Sequence, residues 1–204
     1  MKKFRTLFLI GLLFVLVTGC TPQKDTLKFI QGSASPFHTQ SFSYEVKLGH
    51  QVNGAAVDAE LWQSGVCTKS APILLPKETK KLACSLLIDR SEADGAAKGV
   101  SVQLDTDEAS GSVLTFFELP RKALGYSFTA YEDRKIIDLH AGEEVLLCAV
   151  AFDTGTGVRS VSCERLSEDS EQLKEYACLL VIRAFFTAEP FHAQGEAETG
   201  ETGQ

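Results

Sequence analysis

The chain is dominated by a two-residue alternation of apolar and polar side chains. It is clear at residues 44–48, where Tyr, Val and Leu alternate with Glu and Lys, a pattern typical of a strand with one face in a core. Turn-rich stretches such as 91–98 and 106–112 separate similar segments. The predicted strands are 44–48, 57–62, 82–89, 100–105, 113–119, 126–131, 135–139, 145–152, 158–163 and 176–186. A helix is expected only over 167–176, which begins with capping-type residues.

Two turns along the chain predict hairpins. Asn53-Gly54 is a favoured type I′ dipeptide, and a hairpin folded about it places Val46 opposite Leu61. We therefore expect the strands at 44–48 and 57–62 to be neighbours.

The second predicted hairpin turns at residues 155–156 and joins 145–152 to 158–163. It places Val150 opposite Val161 and Cys148 opposite Cys163. Both faces of the first of these strands are apolar, which predicts a central position in a sheet.

Short strands, frequent turns and little helical periodicity favour an all-β fold, namely an immunoglobulin-like or related antiparallel β-sandwich. A weak internal similarity matches residues 42–45, Cys67 and Cys84 to residues 128–132, Cys148 and Cys163. An alternative alignment, incompatible with the first, matches 83–88 to 177–182. The similarity leaves two arrangements open. The halves 41–118 and 126–187 form either two tandem small sandwich units or a single domain over 41–187.

The amino terminus has the composition of an export signal. A basic start precedes an apolar run over residues 7–17, which is too short to span a bilayer permanently. The run ends in Leu16-Val17-Thr18-Gly19-Cys20, which resembles the lipobox of bacterial lipoproteins.

That resemblance implies a signal peptide over 1–19 that is removed, and a lipid attached to the sulfur of Cys20. The acyl chains would hold the protein in the cell membrane or outer membrane, facing away from the cytoplasm. The composition of 20–40 predicts a tether from the lipidated cysteine. The acidic segment 188–204 predicts a disordered tail.

Overall charge excludes one class of partner. The 204 residues carry a formal net charge of −7, and several of the basic residues lie in the leader. Such a surface repels phosphate backbones, so we expect no nucleic-acid partner.

Five cysteines follow the proposed lipid site, and an exported domain meets oxidising conditions. The second hairpin favours a Cys148–Cys163 disulfide, and the internal similarity favours Cys67–Cys84, which leaves Cys178 as a free thiol. The alternative is that several of them are small buried apolar residues.

Catalytic and metal-binding motifs are weak. The cysteines lack CxxC spacing and the four histidines are scattered, so neither a metal nor any cofactor beyond the covalent lipid is expected. Two Phe-Phe dipeptides, at 116–117 and 185–186, each require one ring to point away from the core. These outward rings predict either a second packed layer or a partner surface.

The sequence therefore favours a non-catalytic binding or assembly module of the cell envelope. Its expected partners are the membrane, through the lipid anchor, and an envelope protein or polysaccharide. One alternative is an envelope polysaccharide hydrolase whose carboxylates are brought together by the fold. Another is a thiol-based redox role for Cys178.

Overall fold

A computed structural model describes residues 24–34, 39–49, 51–75, 77–107, 112–130, 136–153, 159–168 and 170–189. Within these residues the chain forms eleven strands, one short α-helix and one 3₁₀ helix. The strands are β1 Thr26–Ala34, β2 Thr39–Lys47, β3 Gly54–Gln63, β4 Val66–Leu75, β5 Lys81–Arg90, β6 Ala97–Thr106, β7 Ser112–Ala123, β8 Gly125–Ala130, β9 Ile137–Asp138, β10 Glu144–Asp153 and β11 Cys178–Thr187. The helix α1 is Cys163–Glu168 and the 3₁₀ helix is Ser170–Glu175.

The strands form two antiparallel sheets packed face to face. The six-stranded sheet has the order β7-β6-β5-β2-β1-β9, and the five-stranded sheet has the order β4-β3-β11-β10-β8. This arrangement confirms the predicted all-β sandwich. Strands from both sequence halves pair within each sheet, β1 with β9 and β3 with β11. The two halves therefore build one sandwich.

Alternation along the strands fills the space between the sheets. Tyr44, Phe117 and Phe186 are among the largest fully buried side chains in this core. The Tyr44 hydroxyl donates a hydrogen bond of 2.7 Å to the Leu147 carbonyl oxygen, so a buried polar group of one sheet is satisfied by the other. The packing is thus both apolar and directional across the sandwich.

A second apolar cluster lies on the outer face of the five-stranded sheet. Here α1 and the 3₁₀ helix pack over the outward side chains of β10 and β11, with Val161, Leu166 and Leu173 against Leu179 and Val181. This local third layer explains why both faces of 145–152 are apolar, and it confirms the predicted central position of that strand. The helical segment also begins earlier than the predicted 167–176.

The first predicted hairpin is wrong. β2 lies in the six-stranded sheet between β1 and β5, and Val46 lies opposite Leu27 rather than Leu61. Leu61 belongs to β3 in the other sheet. The chain therefore crosses from one sheet to the other at Asn53-Gly54. This crossing lets the apolar faces of β2 and β3 pack against each other in one core.

The second predicted hairpin is also wrong. Cys148 lies opposite Ile182 of β11 and Ala130 of β8, so both hydrogen-bonding edges of β10 are already occupied. Residues 159–162 form no strand, and α1 begins at Cys163. The segment instead covers the outer apolar face, while the predicted turn at 155–156 lies outside the described residues.

Two strands occur where none is predicted. β1, Thr26–Ala34, lies within the segment 20–40 that was expected to be a tether. That expectation is wrong for these residues, because β1 pairs with β2 and β9. The other strand is β4, an exposed edge strand. The signal peptide 1–19, Cys20 and most of the predicted tail, 190–204, lie outside the described residues.

Asp25 holds the start of the fold in place. Its side chain is buried and accepts hydrogen bonds from three backbone N–H groups, those of Gly49, Gln51 and Val52. The bonds from Gln51 and Val52 measure 2.8 and 3.1 Å. The connection between β2 and β3, which crosses from sheet to sheet, is therefore fixed by the residue before β1.

We predict that Asp25→Ala lowers the free energy of unfolding by about 2–3 kcal/mol, because it leaves these N–H groups without their acceptor. Urea denaturation of the two proteins measures the change. Lys24→Ala is the matched control, since the neighbouring Lys24–Asp138 ion pair is largely solvent-exposed and such pairs contribute less than about 1 kcal/mol. Equal losses in the two variants would contradict the role of Asp25.

Candidate functional site

The outer face of the six-stranded sheet carries an exposed patch without charged side chains. The patch consists of two rows of residues that lie opposite one another on β7, β6 and β5. In the first row Phe116 lies opposite Ser101, which lies opposite Leu87. In the second row Leu114 lies opposite Gln103, which lies opposite Ser85. We call this set the uncharged band: Ser85, Leu87, Ser101, Gln103, Leu114 and Phe116.

Three large apolar side chains of the band face solvent. Leu114 is 69 % exposed, Leu87 48 % and Phe116 45 %. Isolated exposed apolar residues are ordinary, but several on one sheet face are typical of contact surfaces. The band therefore differs from the outer face of the other sheet, where the helical segment covers the apolar centre.

Phe116 is held in position by the lack of a side chain at residue 99. A Cβ atom built on Gly99 would lie 2.2 Å from the Phe116 ring, so only glycine lets the ring lie against the sheet. Lys69 of β4 also donates a hydrogen bond of 2.5 Å to the Phe116 carbonyl oxygen. The ring therefore lies over Gly99, and the hydrogen bond from Lys69 holds the backbone that carries it.

Charged residues border the band on both sides. At one end Asp89 pairs with Lys98 at 3.4 Å, and Glu118 lies opposite Gly99. At the other end Asp105 accepts a hydrogen bond of 2.6 Å from Ser112. An apolar centre with a polar rim is the usual anatomy of a protein–protein contact.

One ring of each Phe-Phe dipeptide points into the core, as predicted, namely Phe117 and Phe186. Phe116 lies on the exposed band. Phe185 is half-buried on the outer face of the five-stranded sheet, opposite Glu144 and Ala56.

A cluster of charged side chains around Arg183 lies on the outer face of the five-stranded sheet. Arg183 of β11 forms ion pairs with Glu60, at 3.4 Å, and with Glu144. Its guanidinium lies 5.7 Å from the centre of the Trp62 ring, and the indole N–H of Trp62 donates a 2.6 Å hydrogen bond to Glu60. Arg183 and Glu60 are largely covered, with side chains 15 % and 12 % exposed.

This cluster bears on the alternative of a polysaccharide hydrolase. Burial raises the pKa of Glu60 above its ordinary value, against the lowering effects of the Trp62 hydrogen bond and of Arg183. Nearby Asp58 and Glu144 raise it further. A raised carboxyl pKa suits a general acid, but Trp62 and Arg183 already engage this carboxylate. The contacts are those of a structural network that joins β3, β10 and β11.

The structure places the predicted disulfide residues in different environments. Cys148 faces the core between the sheets, while Cys163 packs in the outer cluster. Cys84 is fully buried in the same core as Cys148, while Cys67 is exposed on β4. The structure therefore brings neither predicted pair together, because the hairpin and repeat on which they rested are not formed. In this structure none of the five described cysteines is bonded to another.

Cys178 lines a cleft of about 310 Å³ at one end of the sandwich, beside Gln63, Arg121 and Phe152. Burial raises the pKa of this thiol to about 12. A redox or nucleophilic cysteine needs the opposite shift, toward the thiolate at neutral pH. The environment fits a small buried apolar residue.

Within the described ranges, no group of three or more potential ligands is arranged to hold a metal ion. No helix in that part of the chain is long and apolar enough to cross a bilayer. Comparison with protein-family models, curated proteins and solved structures finds no match for the chain. The band itself was missed by sequence analysis, and only the Phe-Phe dipeptide at 116–117 pointed toward it.

We predict opposite outcomes for the two adjacent rings. Phe117→Ala removes a fully buried side chain and lowers the free energy of unfolding by about 3–5 kcal/mol. Phe116→Ser, on the exposed band, lowers it by about 1 kcal/mol or less. Urea denaturation at constant pH measures both. A loss of several kcal/mol in Phe116→Ser would show that this ring belongs to the core.

Proposed function

We propose that this chain is a lipid-anchored bacterial envelope protein whose β-sandwich is a non-catalytic binding or assembly module. The anchor rests on the lipobox-like segment that ends at Cys20. The binding role rests on the uncharged band. Its partner is an envelope protein that offers a matching apolar surface.

The observation that carries the binding role is the exposure of Leu87, Leu114 and Phe116 on one face of the sheet. Three exposed large apolar groups on one face have a solvation cost that contact with a partner removes, at roughly 25 cal/mol per Å² of buried area. Ser101 lies between Leu87 and Phe116 and can form a hydrogen bond within such a contact. Because the strands are fixed, binding requires little ordering of the backbone.

The other candidate chemistries receive less support. The Glu60 carboxylate is engaged by neighbours, and the Cys178 thiol is held protonated. An open sheet face also suits a macromolecular partner better than a small ligand, which needs a concave site. Binding is therefore the function that the geometry favours.

The anchor predicts a covalent modification that can be measured directly. Mass spectrometry of the amino-terminal peptide from native membranes should show Cys20 as the first residue, carrying a diacylglycerol. Cys20→Ala should lack this mass and leave the membrane fraction, because two or three acyl chains supply the membrane attachment. Cys67→Ala is the matched control and should stay in the membrane fraction. An unmodified Cys20 preceded by an intact leader would contradict the proposal.

The binding role predicts a contact specific to one face. A photoreactive phenylalanine derivative at position 114 should give one discrete protein adduct when intact cells are irradiated. The same group at position 74, where Leu74 is 45 % exposed on β4 of the other sheet, should give none. The adduct from position 114 should fall at least about tenfold when Leu87→Ser and Phe116→Ser remove the neighbouring anchors. Equal adducts from both positions, or none from either, would contradict a binding role for the band.

A further inference from the structure

We propose that Cys84 and Cys148 form a disulfide that joins the two sheets through the centre of the sandwich. The inference rests on the proposed export of the chain, which supplies an oxidising compartment. It replaces both cysteine pairs that the sequence favours.

The two residues face each other from opposite sheets. Cys84 lies on β5 of the six-stranded sheet and Cys148 lies on β10 of the five-stranded sheet. Both are fully buried members of the same core. Their side chains are close enough to interact with each other. The fold therefore places two thiols against each other at its centre.

A contact between the neighbouring strands also places β5 and β10 near each other. Phe42 lies opposite Cys84 in the register of β2 and β5, and its ring centre lies 6.0 Å from that of Phe128 on β8. β8 is the strand that places Ala130 opposite Cys148. The two sheets are thus in contact through β2 and β8, the strands that pair with those carrying Cys84 and Cys148.

A hydrogen bond to the residue before Cys148 also joins the two sheets at this point. The Tyr44 hydroxyl donates 2.7 Å to the carbonyl oxygen of Leu147, and Tyr44 lies opposite Leu82, two residues from Cys84. An aromatic contact and a polar contact therefore cross the interface beside the thiol pair. The two cysteines therefore lie beside contacts that already join the two sheets.

The remaining described cysteines do not compete for these positions. Cys67 is exposed on the edge strand β4, and Cys163 packs outside the five-stranded sheet under the helical segment. Cys178 lies at the end of the sandwich beside the cleft. Each is separated from the central pair by its position in the fold.

The bond forms by thiol–disulfide exchange with a disulfide-containing oxidant, either a small molecule or a protein. One cysteine thiolate attacks the oxidant to give a mixed disulfide and releases one oxidant thiolate. The second cysteine thiolate then attacks the sulfur of the first, and the second oxidant sulfur leaves as a thiolate. Two electrons pass to the oxidant, and the two protons lost by the cysteines protonate its two thiolates.

Burial sets the order of events. In the closed sandwich the pKa of the Cys148 thiol is raised well above its usual range by burial, with a further rise from Cys84 beside it. The attacking thiolate is therefore available mainly before the sheets close. The disulfide forms during folding after export, and the closed core then shields it from reductants.

The test is oxidative refolding of the full chain, purified and reduced in urea. It is refolded with reduced and oxidised glutathione, alkylated to block free thiols, and digested without reduction. Mass spectrometry should find the cross-linked peptide pair that contains Cys84 and Cys148 as the dominant disulfide. Another dominant pair, or five alkylated cysteines beyond residue 20, would overturn the inference.

Variants and thermal unfolding make the result specific. Cys148→Ala should abolish the cross-linked peptide, while the matched control Cys163→Ala, also a buried cysteine, should retain it. Because a variant at residue 148 can fail to fold, the wild-type chain is also melted in oxidised and reduced form. The oxidised form should unfold about 10 °C higher. Equal melting temperatures would contradict a bond that fixes the sheets.

This experiment separates the inference from the proposed function. The oxidant is supplied in the refolding buffer, so failure to form the bond overturns the inference wherever the protein resides. An unmodified Cys20 in native membranes would instead overturn the anchor and leave the refolding result unchanged.

Discussion

The burial of β10 and β11 on both faces is the constraint that organises this molecule. Their inner side chains require the six-stranded sheet opposite, and their outer side chains, such as Leu179 and Val181, require the helical segment. The molecule is therefore asymmetric: one outer face is covered around its apolar centre, and the other outer face retains exposed apolar residues. The uncharged band lies on the face that the helical layer does not cover.

Sequence periodicity located many of the strands but not their partners. Residues 100–105 and 113–119 alternate clearly, and the structure has β6 and β7 there as neighbours. Asn53-Gly54 has local turn chemistry, yet β2 and β3 lie in different sheets, because burial of their apolar faces against each other outweighs a short-range turn preference. β4 was missed because an exposed edge strand lacks the alternation that burial imposes.

The uncharged band and the cysteine pair depend on strand order, which the sequence pattern does not predict. The dipeptide at 116–117 required one exposed ring, but its grouping with Leu87 needed β6 to lie between β7 and β5. The approach of Cys84 to Cys148 likewise needed each residue to be assigned to its sheet. A local hairpin instead suggested Cys163, which lies on the other side of the five-stranded sheet. Contacts between residues distant in the chain are determined by the whole fold, and the periodicity of single segments does not encode them.

The buried carboxylate of Asp25 has a geometric consequence for a chain acylated at Cys20. Five peptide units separate these two residues, and even fully stretched they reach only about 17 Å, roughly half the thickness of a bilayer's hydrocarbon interior. With the proposed lipid at Cys20, this short connection would hold the domain close to the membrane surface. A partner of a domain anchored in this way would have to meet it near the lipid headgroups.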